Sequence, residues 1–152
     1  MLIVGVVAGR ALWPARAGDP LVSELVDQHV VALSSPNPVD VVSEDRHTVK
    51  PWFQGRLPFA FNLPELAGTN LQLLGGKLTY LDERPAAELL YAAGRHKISV
   101  FILKDTGTAR ADGNSTFNVR TWSSSGGLRF YLVTDASDAE ASRLVGLLQA
   151  SN

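Results

Sequence analysis

The sequence predicts an α+β fold, in which an antiparallel meander sheet of five or six strands is accompanied by an N-terminal and a C-terminal helix. Three observations favour this class. Apolar residues have helical spacing after Pro20, alternate as in strands from Leu71 onward, and regain helical spacing after Ser137. With 152 residues, 45% of them hydrophobic, the chain is long enough for one domain with a substantial core.

The first helix is predicted to begin at Asp19-Pro20. Asp19 is a suitable N-cap, and Pro20 takes the first helical position, where its missing N–H costs nothing. The helix is about 14 residues long and ends before the breaker Ser34-Ser35-Pro36-Asn37-Pro38. Its predicted apolar face consists of Leu21, Val22, Leu25, Val26, His29, Val30 and Leu33.

A three-stranded meander is predicted in the middle of the chain, after a short strand at 39–42. Gly75-Gly76 interrupts the strand 71–81 and predicts a bulge or a close backbone approach. A turn at Asp82–Pro85 leads into a return strand at 86–91, and a third strand follows at 97–103. Ala87, Leu89 and Tyr91 are expected on one face of the return strand.

The last third of the chain predicts a surface loop, a second hairpin and a closing helix. The loop is 104–116, and the hairpin strands are 117–122 and 128–133 around the turn Ser123–Gly127. The pattern Ser137-x-x-Glu140 is a capping box, so a helix should follow it.

Charge and composition exclude several classes of function. A formal net charge of -1 gives no electrostatic footprint for nucleic acid or anionic lipid. The chain has no cysteine, which excludes disulfides, thiolate zinc sites and cysteine nucleophiles. Its three histidines form no metal-binding pattern, and no serine lies in a Gly-x-Ser-x-Gly elbow. We therefore predict no catalytic residues, no metal site, no cofactor and no enzymatic activity.

The apolar run Leu2–Gly9 has three interpretations. It is a buried strand, a short signal-peptide core, or the outer end of a membrane-spanning helix. The third is favoured because Arg10 and Trp13 are typical anchors at a membrane interface. We therefore expect residues 1–18 to be the end of a membrane helix with a linker, and residues 19–152 to form a single domain.

The segment Asp45–Leu57 combines a histidine, two aromatic residues and several cations, without usable periodicity. It is therefore predicted to be held by side-chain contacts. One interpretation makes it a recognition patch, in which aromatic residues supply buried area and cations contact an acidic group. The other, which we favour, is that the aromatic pair plugs the core and the histidine bonds a backbone carbonyl. The candidate binding residues are His47, Lys50, Trp52, Phe53 and Arg56.

The same segment resembles a motif from the extracytoplasmic part of bacterial transmembrane anti-sigma factors, an aspartate and one further residue before His-Thr-Val-Lys-Pro-Trp-Phe-x-Gly-Lys/Arg-Leu. Other stretches are similar to the family in the same order, so the resemblance covers about Asp45 to Leu148. The departures are small: Leu90 and Thr134 replace the usual valine and serine, and 92–94 is less polar. The similar stretches are Leu73–Tyr91, His96–Phe101, Asn118–Trp122, Gly126–Leu128 and Val133–Asp135.

The resemblance implies a membrane-tethered regulator whose cytoplasmic N-terminal part, often a small zinc-binding helical domain, sequesters an extracytoplasmic-function sigma factor. This chain would be the outer, signal-receiving portion, in the periplasm and attached to the inner membrane. The sigma factor would be contacted only through a cytoplasmic part absent from this chain. A periplasmic protein or a small effector is a possible partner, and nucleic acid is not expected. The alternative is a small periplasmic ligand- or metal-binding protein.

Overall fold

The computed structural model describes residues 20–107 and 116–152, and within these ranges six antiparallel strands form one sheet with three helices packed on it. The helices are α1 (Pro20–Ser34), α2 (Arg46–Phe53) and α3 (Asp138–Ser151). The strands are β1 (Val41–Val42), β2 (Leu71–Leu81), β3 (Arg84–Ala93), β4 (His96–Lys104), β5 (Asn118–Ser123) and β6 (Leu128–Thr134). The predicted α+β class, with an antiparallel sheet and a helix at each end of the chain, is confirmed.

The order of strands in the sheet is β1-β2-β3-β4-β6-β5. The meander predicted for the middle of the chain is therefore present as β2, β3 and β4. The second hairpin joins it through its later strand, so that β6 lies between β4 and β5 and β5 forms an edge. The capping box that begins α3 is also confirmed, because Ser137 and Glu140 each bond the other's backbone N–H.

The bulge in β2 decides which residues of that strand reach the core. Its register against β3 shifts between Leu73 and Gly75, as the glycine pair predicts. Leu73 before the shift and Leu78 after it therefore pack into the same core cluster, although a regular strand would send them to opposite faces. Gly75 has a φ of 142°, and a Cβ there would overlap the carbonyl oxygen of Val41.

A tight turn connects β2 to β3. Asp82 and Glu83 both have positive φ values, 51° and 58°, as in a two-residue type I′ hairpin. Leu81 and Arg84 are the last paired residues, so the return strand begins two positions earlier than the sequence predicts. The side chain of Glu24 in α1 accepts a hydrogen bond from the backbone N–H of Asp82, at 3.2 Å.

The sheet is covered on both faces. One face carries the larger core cluster, to which α2 contributes Val49 and Phe53 and α3 contributes Leu144 and Leu148. The other face carries a smaller cluster around Leu25 of α1. Strands β3, β4 and β6 are therefore buried on both sides, which explains their almost continuous apolar sequences.

The length predicted for α1 is confirmed, but its predicted apolar face is partly wrong. The buried residues are Val22, Leu25, His29 and Ala32, whereas Val30 and Leu33 are 45% and 41% exposed. Each exposed residue follows a buried one, and one position rotates a side chain by about 100° around a helix. The helix contacts the sheet through a narrow stripe of residues. Ala32 belongs to this stripe, although its small side chain was not recognised as part of the apolar face.

Several predictions fall on residues outside the described ranges. These are the membrane-helix end and linker at 1–18, the N-cap Asp19, and most of the surface loop 104–116. Within the described ranges, no helix is both long enough and apolar enough to cross a membrane.

Candidate functional site

The segment Asp45–Leu57 is predicted to have no usable periodicity, and this is wrong at Arg46–Phe53, which form the helix α2. Asp45 is the N-cap, and its carboxylate accepts a hydrogen bond from the backbone N–H of His47 at 2.8 Å. Val49 and Phe53, four residues apart, face the core. The helix has only eight residues and contains Pro51, and only two of its residues face inward. Two residues are too few to reveal a helical period in the sequence.

The aromatic residues of the segment lie against the core. Phe53 is 2% exposed, and its ring meets the rings of Trp52 and Phe61 edge to face, with centroids 4.9 and 5.3 Å away. Trp52 is half-buried, and the guanidinium of Arg56 lies 4.6 Å from the centre of its ring. The structure therefore places Phe53 inside the fold and Arg56 on the outer side of Trp52.

Two cavities lie on either side of Arg46 and His47, which line both. The first, here called the basic cavity, has a volume of about 430 Å³ and lies between α2, the loop 54–70 and the last turn of α3. The second, here called the mixed cavity, has a volume of about 280 Å³ and lies between the start of α2, the residues 63–67 and β2. The basic cavity is lined by Arg46, His47, Lys50, Pro51, Asn62, Leu63 and Ser151.

A network of amide groups holds the walls of the basic cavity together. The ammonium of Lys50 donates a hydrogen bond to Oδ1 of Asn62 at 2.6 Å. The side chain of Asn152 accepts from the backbone N–H of Asn62 at 2.8 Å and donates to its carbonyl at 3.1 Å. Nδ2 of Asn62 donates to the carbonyl of Ser151 at 2.9 Å. One side chain, Asn62, thus links α2 to the end of α3.

Arg46 is fixed from the opposite side. Its guanidinium donates to the carbonyl of Leu63 at 3.2 Å and forms an ion pair of 2.9 Å with Glu65. The imidazole of His47 forms no hydrogen bond to any residue that the structure describes, and His47 is exposed. Of the three basic side chains at the basic cavity, His47 is therefore the least constrained.

The mixed cavity carries both signs of charge. Glu44, Asp45 and Glu65 line it together with Arg46 and His47. Tyr91 also lines this cavity; its hydroxyl is buried and has no hydrogen-bond partner within 20–107 and 116–152. Complete burial raises the pKa of the Tyr91 phenol.

The opposite face of the sheet holds two polar pairs, in which His29, Ser99 and Glu88 are buried. Nδ1 of His29 lies 2.7 Å from Oγ of Ser99, and Nζ of Lys77 lies 3.4 Å from Oε2 of Glu88. Burial lowers the pKa of His29 to about 4, against a small opposing effect of Asp135. Burial raises the pKa of Glu88 to about 7, although Lys77 opposes the shift.

His29 and Ser99 have the chemical groups of a base and a nucleophile, but within the part of the chain that the structure describes they lack the access for a substrate and the orienting carboxylate of a catalytic pair. Both residues are completely buried, so a substrate cannot reach them in this structure. The other ring nitrogen, Nε2, has no hydrogen-bond partner among the described residues, so no carboxylate orients the ring. The sequence places His29 on the apolar face of the first helix, and the structure confirms that it is packed there.

The five candidate binding residues divide into two groups. His47 and Lys50 lie together at the basic cavity, whereas Trp52, Phe53 and Arg56 lie elsewhere. Sequence reasoning missed three polar contributors to this cavity, Arg46, Asn62 and Ser151. Arg46 precedes Lys50 by one helical turn, so a helical assignment would have found it. The two others are distant in sequence, and only the fold brings them close.

Within 20–107 and 116–152, no group of three or more histidine, cysteine, aspartate or glutamate side chains could hold a metal ion. No model of a known protein family matches the chain, and no curated protein matches its sequence.

Proposed function

We propose that this chain is the extracytoplasmic, signal-receiving portion of a membrane-tethered anti-sigma factor. It acts without enzymatic chemistry, in the periplasm, and regulates an extracytoplasmic-function sigma factor in response to an envelope signal. The sigma factor itself is bound by a cytoplasmic part of the regulator. Support comes from the ordered series of motifs between Asp45 and Leu148, which resembles the outer part of such regulators.

The observation that carries the proposal is the segment Asp45–Leu57, in which the resemblance is most specific. This segment forms α2, where Phe53 packs into the core while His47 and Lys50 line an open cavity. A short helix anchored on one side and open on the other suits the reception of a ligand or partner. The second strongest stretch of the resemblance, Leu73–Tyr91, forms most of the β2–β3 hairpin against which α2 packs.

The test uses the complete reading frame that encodes this chain, expressed together with the sigma factor that it is proposed to regulate. Alkaline phosphatase fused after Asn152 should be active, because that enzyme folds only outside the cytoplasm, and a β-galactosidase fusion at the same point should be inactive. A sigma-dependent reporter should be repressed by the regulator. An active β-galactosidase fusion, or a reporter that does not respond to the regulator, would contradict the proposal.

A second candidate, a small periplasmic ligand-binding protein, is favoured by the size of the basic cavity. Its volume of about 430 Å³ lies within the range of about 300–1,000 Å³ that is usual for small-molecule sites. The reporter separates the two functions. A free-standing binding protein would give the same pattern of fusion activities but would leave sigma-dependent transcription unchanged.

A further inference from the structure

The two cavities beside α2 differ in the charges that face them. Three acidic side chains, Glu44, Asp45 and Glu65, line the mixed cavity together with Arg46 and His47. The basic cavity is lined by Arg46, His47 and Lys50, and no acidic residue of the described chain lines it. Local charge therefore favours an anion in the basic cavity over the mixed cavity.

The basic cavity also has hydrogen-bond donors to spare. An ammonium group has three N–H donors, and Asn62 accepts from Lys50. The His47 ring makes no hydrogen bond with the described residues, and a guanidinium has five donors, of which Leu63 and Glu65 occupy only a part at Arg46. Oxyanions such as carboxylates and phosphates are the groups that accept several charge-assisted hydrogen bonds at once.

The remaining wall of the cavity is partly apolar, since Pro51 and Leu63 contribute to it. The volume of about 430 Å³ exceeds what an inorganic ion requires, because a single water occupies about 30 Å³ of liquid. An occupant with a charged end and a small carbon skeleton would use both the cations and the apolar wall.

We propose that the basic cavity binds a small organic oxyanion, either a carboxylate or a phosphate monoester. Lys50 and His47 contact the charged group, Arg46 supports it from the rim, and Pro51 and Leu63 contact the carbon skeleton. This proposal deepens the proposed function: that the anion is the envelope signal rests on that function. Binding itself is a property of this chain and is measured without the rest of the regulator.

The experiment follows the backbone amide signals of the purified 152-residue chain by NMR during titration in a phosphate-free buffer. The three probes are succinate, glycerol 3-phosphate and inorganic phosphate. Succinate or glycerol 3-phosphate should give saturable shifts concentrated at 46–50, 62–63 and 151, and inorganic phosphate should bind more weakly. Tighter binding of succinate would indicate a carboxylate site, and tighter binding of glycerol 3-phosphate would indicate a phosphate site. Shifts that do not saturate with any probe, or that saturate elsewhere in the chain, would overturn the proposal.

Two variants and a matched control test which residues of the basic cavity bind the anion. Lys50→Gln replaces the ammonium with a neutral amide and should weaken binding of the better organic probe at least about tenfold, the effect of losing one charge-assisted contact of about 1.4 kcal/mol. His47→Ala removes the ring donor and should also weaken binding. Lys104→Gln makes the same change at an exposed lysine at the end of β4, outside the cavity, and should leave binding unchanged. Equal weakening by Lys50→Gln and Lys104→Gln would refute a specific site.

The outcomes of this experiment and of the reporter test are independent. Saturable binding together with an unresponsive reporter would support the anion site and remove its role in sigma-factor regulation. The absence of binding together with a responsive reporter would overturn the anion site and leave the regulatory function in place.

Discussion

A methyl group added at Gly76 would collide with the ring of Phe53. Its carbon would lie 2.7 Å from Cζ and 2.8 Å from Cε2 of that ring, and 3.0 Å from the carbonyl oxygen of Glu88. The ring cannot move away easily, because Trp52 and Phe61 pack edge to face against it. Such overpacking typically costs about 1–3 kcal/mol, so we expect Gly76→Ala to destabilise the fold by that amount.

The same substitution should behave differently when the ring is absent. The backbone of Gly76 does not have a positive φ, so alanine fits its conformation. At such positions Gly→Ala commonly stabilises by about 0.4–1 kcal/mol. Phe53→Ala alone should cost about 3–5 kcal/mol, since Phe53 is almost completely buried. In that background, Gly76→Ala should be close to neutral, because only the contact with Glu88 remains.

A double-mutant cycle measures the interaction between the two positions. Chemical denaturation of the original chain, the two single variants and the double variant should give a coupling energy of about 1–3 kcal/mol. Gly146→Ala in α3 is a control, because a Cβ there meets no atom within 4 Å, and it should stabilise by about 0.5–1 kcal/mol. If the two single effects add to within about 0.5 kcal/mol, α2 does not dock on β2 through this contact.

Three further predictions concern stability. Trp52→Ala should cost less than Phe53→Ala in chemical denaturation, because Trp52 is only half-buried; equal costs would contradict the assigned packing. A shortened chain that begins at Asp19 should keep its thermal midpoint, and a fall of more than about 8 °C would contradict the linker at 1–18. Folding raises the pKa of Glu88 from 4.5 to about 7, so its stabilising contribution is complete below pH 4.5 and is lost as pH rises through 7. Folding lowers the pKa of His29 from 6.5 to about 4, so its contribution is present above pH 6.5 and is lost as pH falls through 4. In the original chain these two pH dependences oppose each other. Glu88→Gln removes the first of them, so the free energy of unfolding of this variant should rise with pH between 4 and 6.5 because of His29. A flat profile would contradict the pKa shift assigned to His29.

The parts of the fold that the sequence predicts correctly depend on local chemistry. The capping box at Ser137 is complete within four residues, and the bulge in β2 follows from two adjacent glycines. The sequence predicts the turn at Asp82–Pro85 because these residues separate two segments in which apolar and polar side chains alternate. In each case the residues that determine the structure are adjacent, and no distant contact is needed to recognise it.

The parts that the sequence missed depend on distant contacts. The eight residues of α2 are helical because Val49 and Phe53 pack on the sheet, and neither residue marks a helix on its own. The partner of Lys50 is Asn62, which is held in place by Asn152, a residue 90 positions later in the chain. Charged side chains can be recognised as candidates, but the cavity that brings them together exists only in three dimensions.

Helical geometry explains why the predicted binding residues separate. Val49 and Phe53 are four positions apart and share the face that packs on the sheet. Arg46 and Lys50 are also four positions apart and share the neighbouring face, which they occupy with His47. One short helix therefore contributes to the core with one face and to the basic cavity with the other. Substitutions of His47 and Lys50 should change ligand binding while the fold stays intact, whereas Phe53→Ala should damage both. Measuring stability and binding on the same variants thus separates the two roles that a single motif combines.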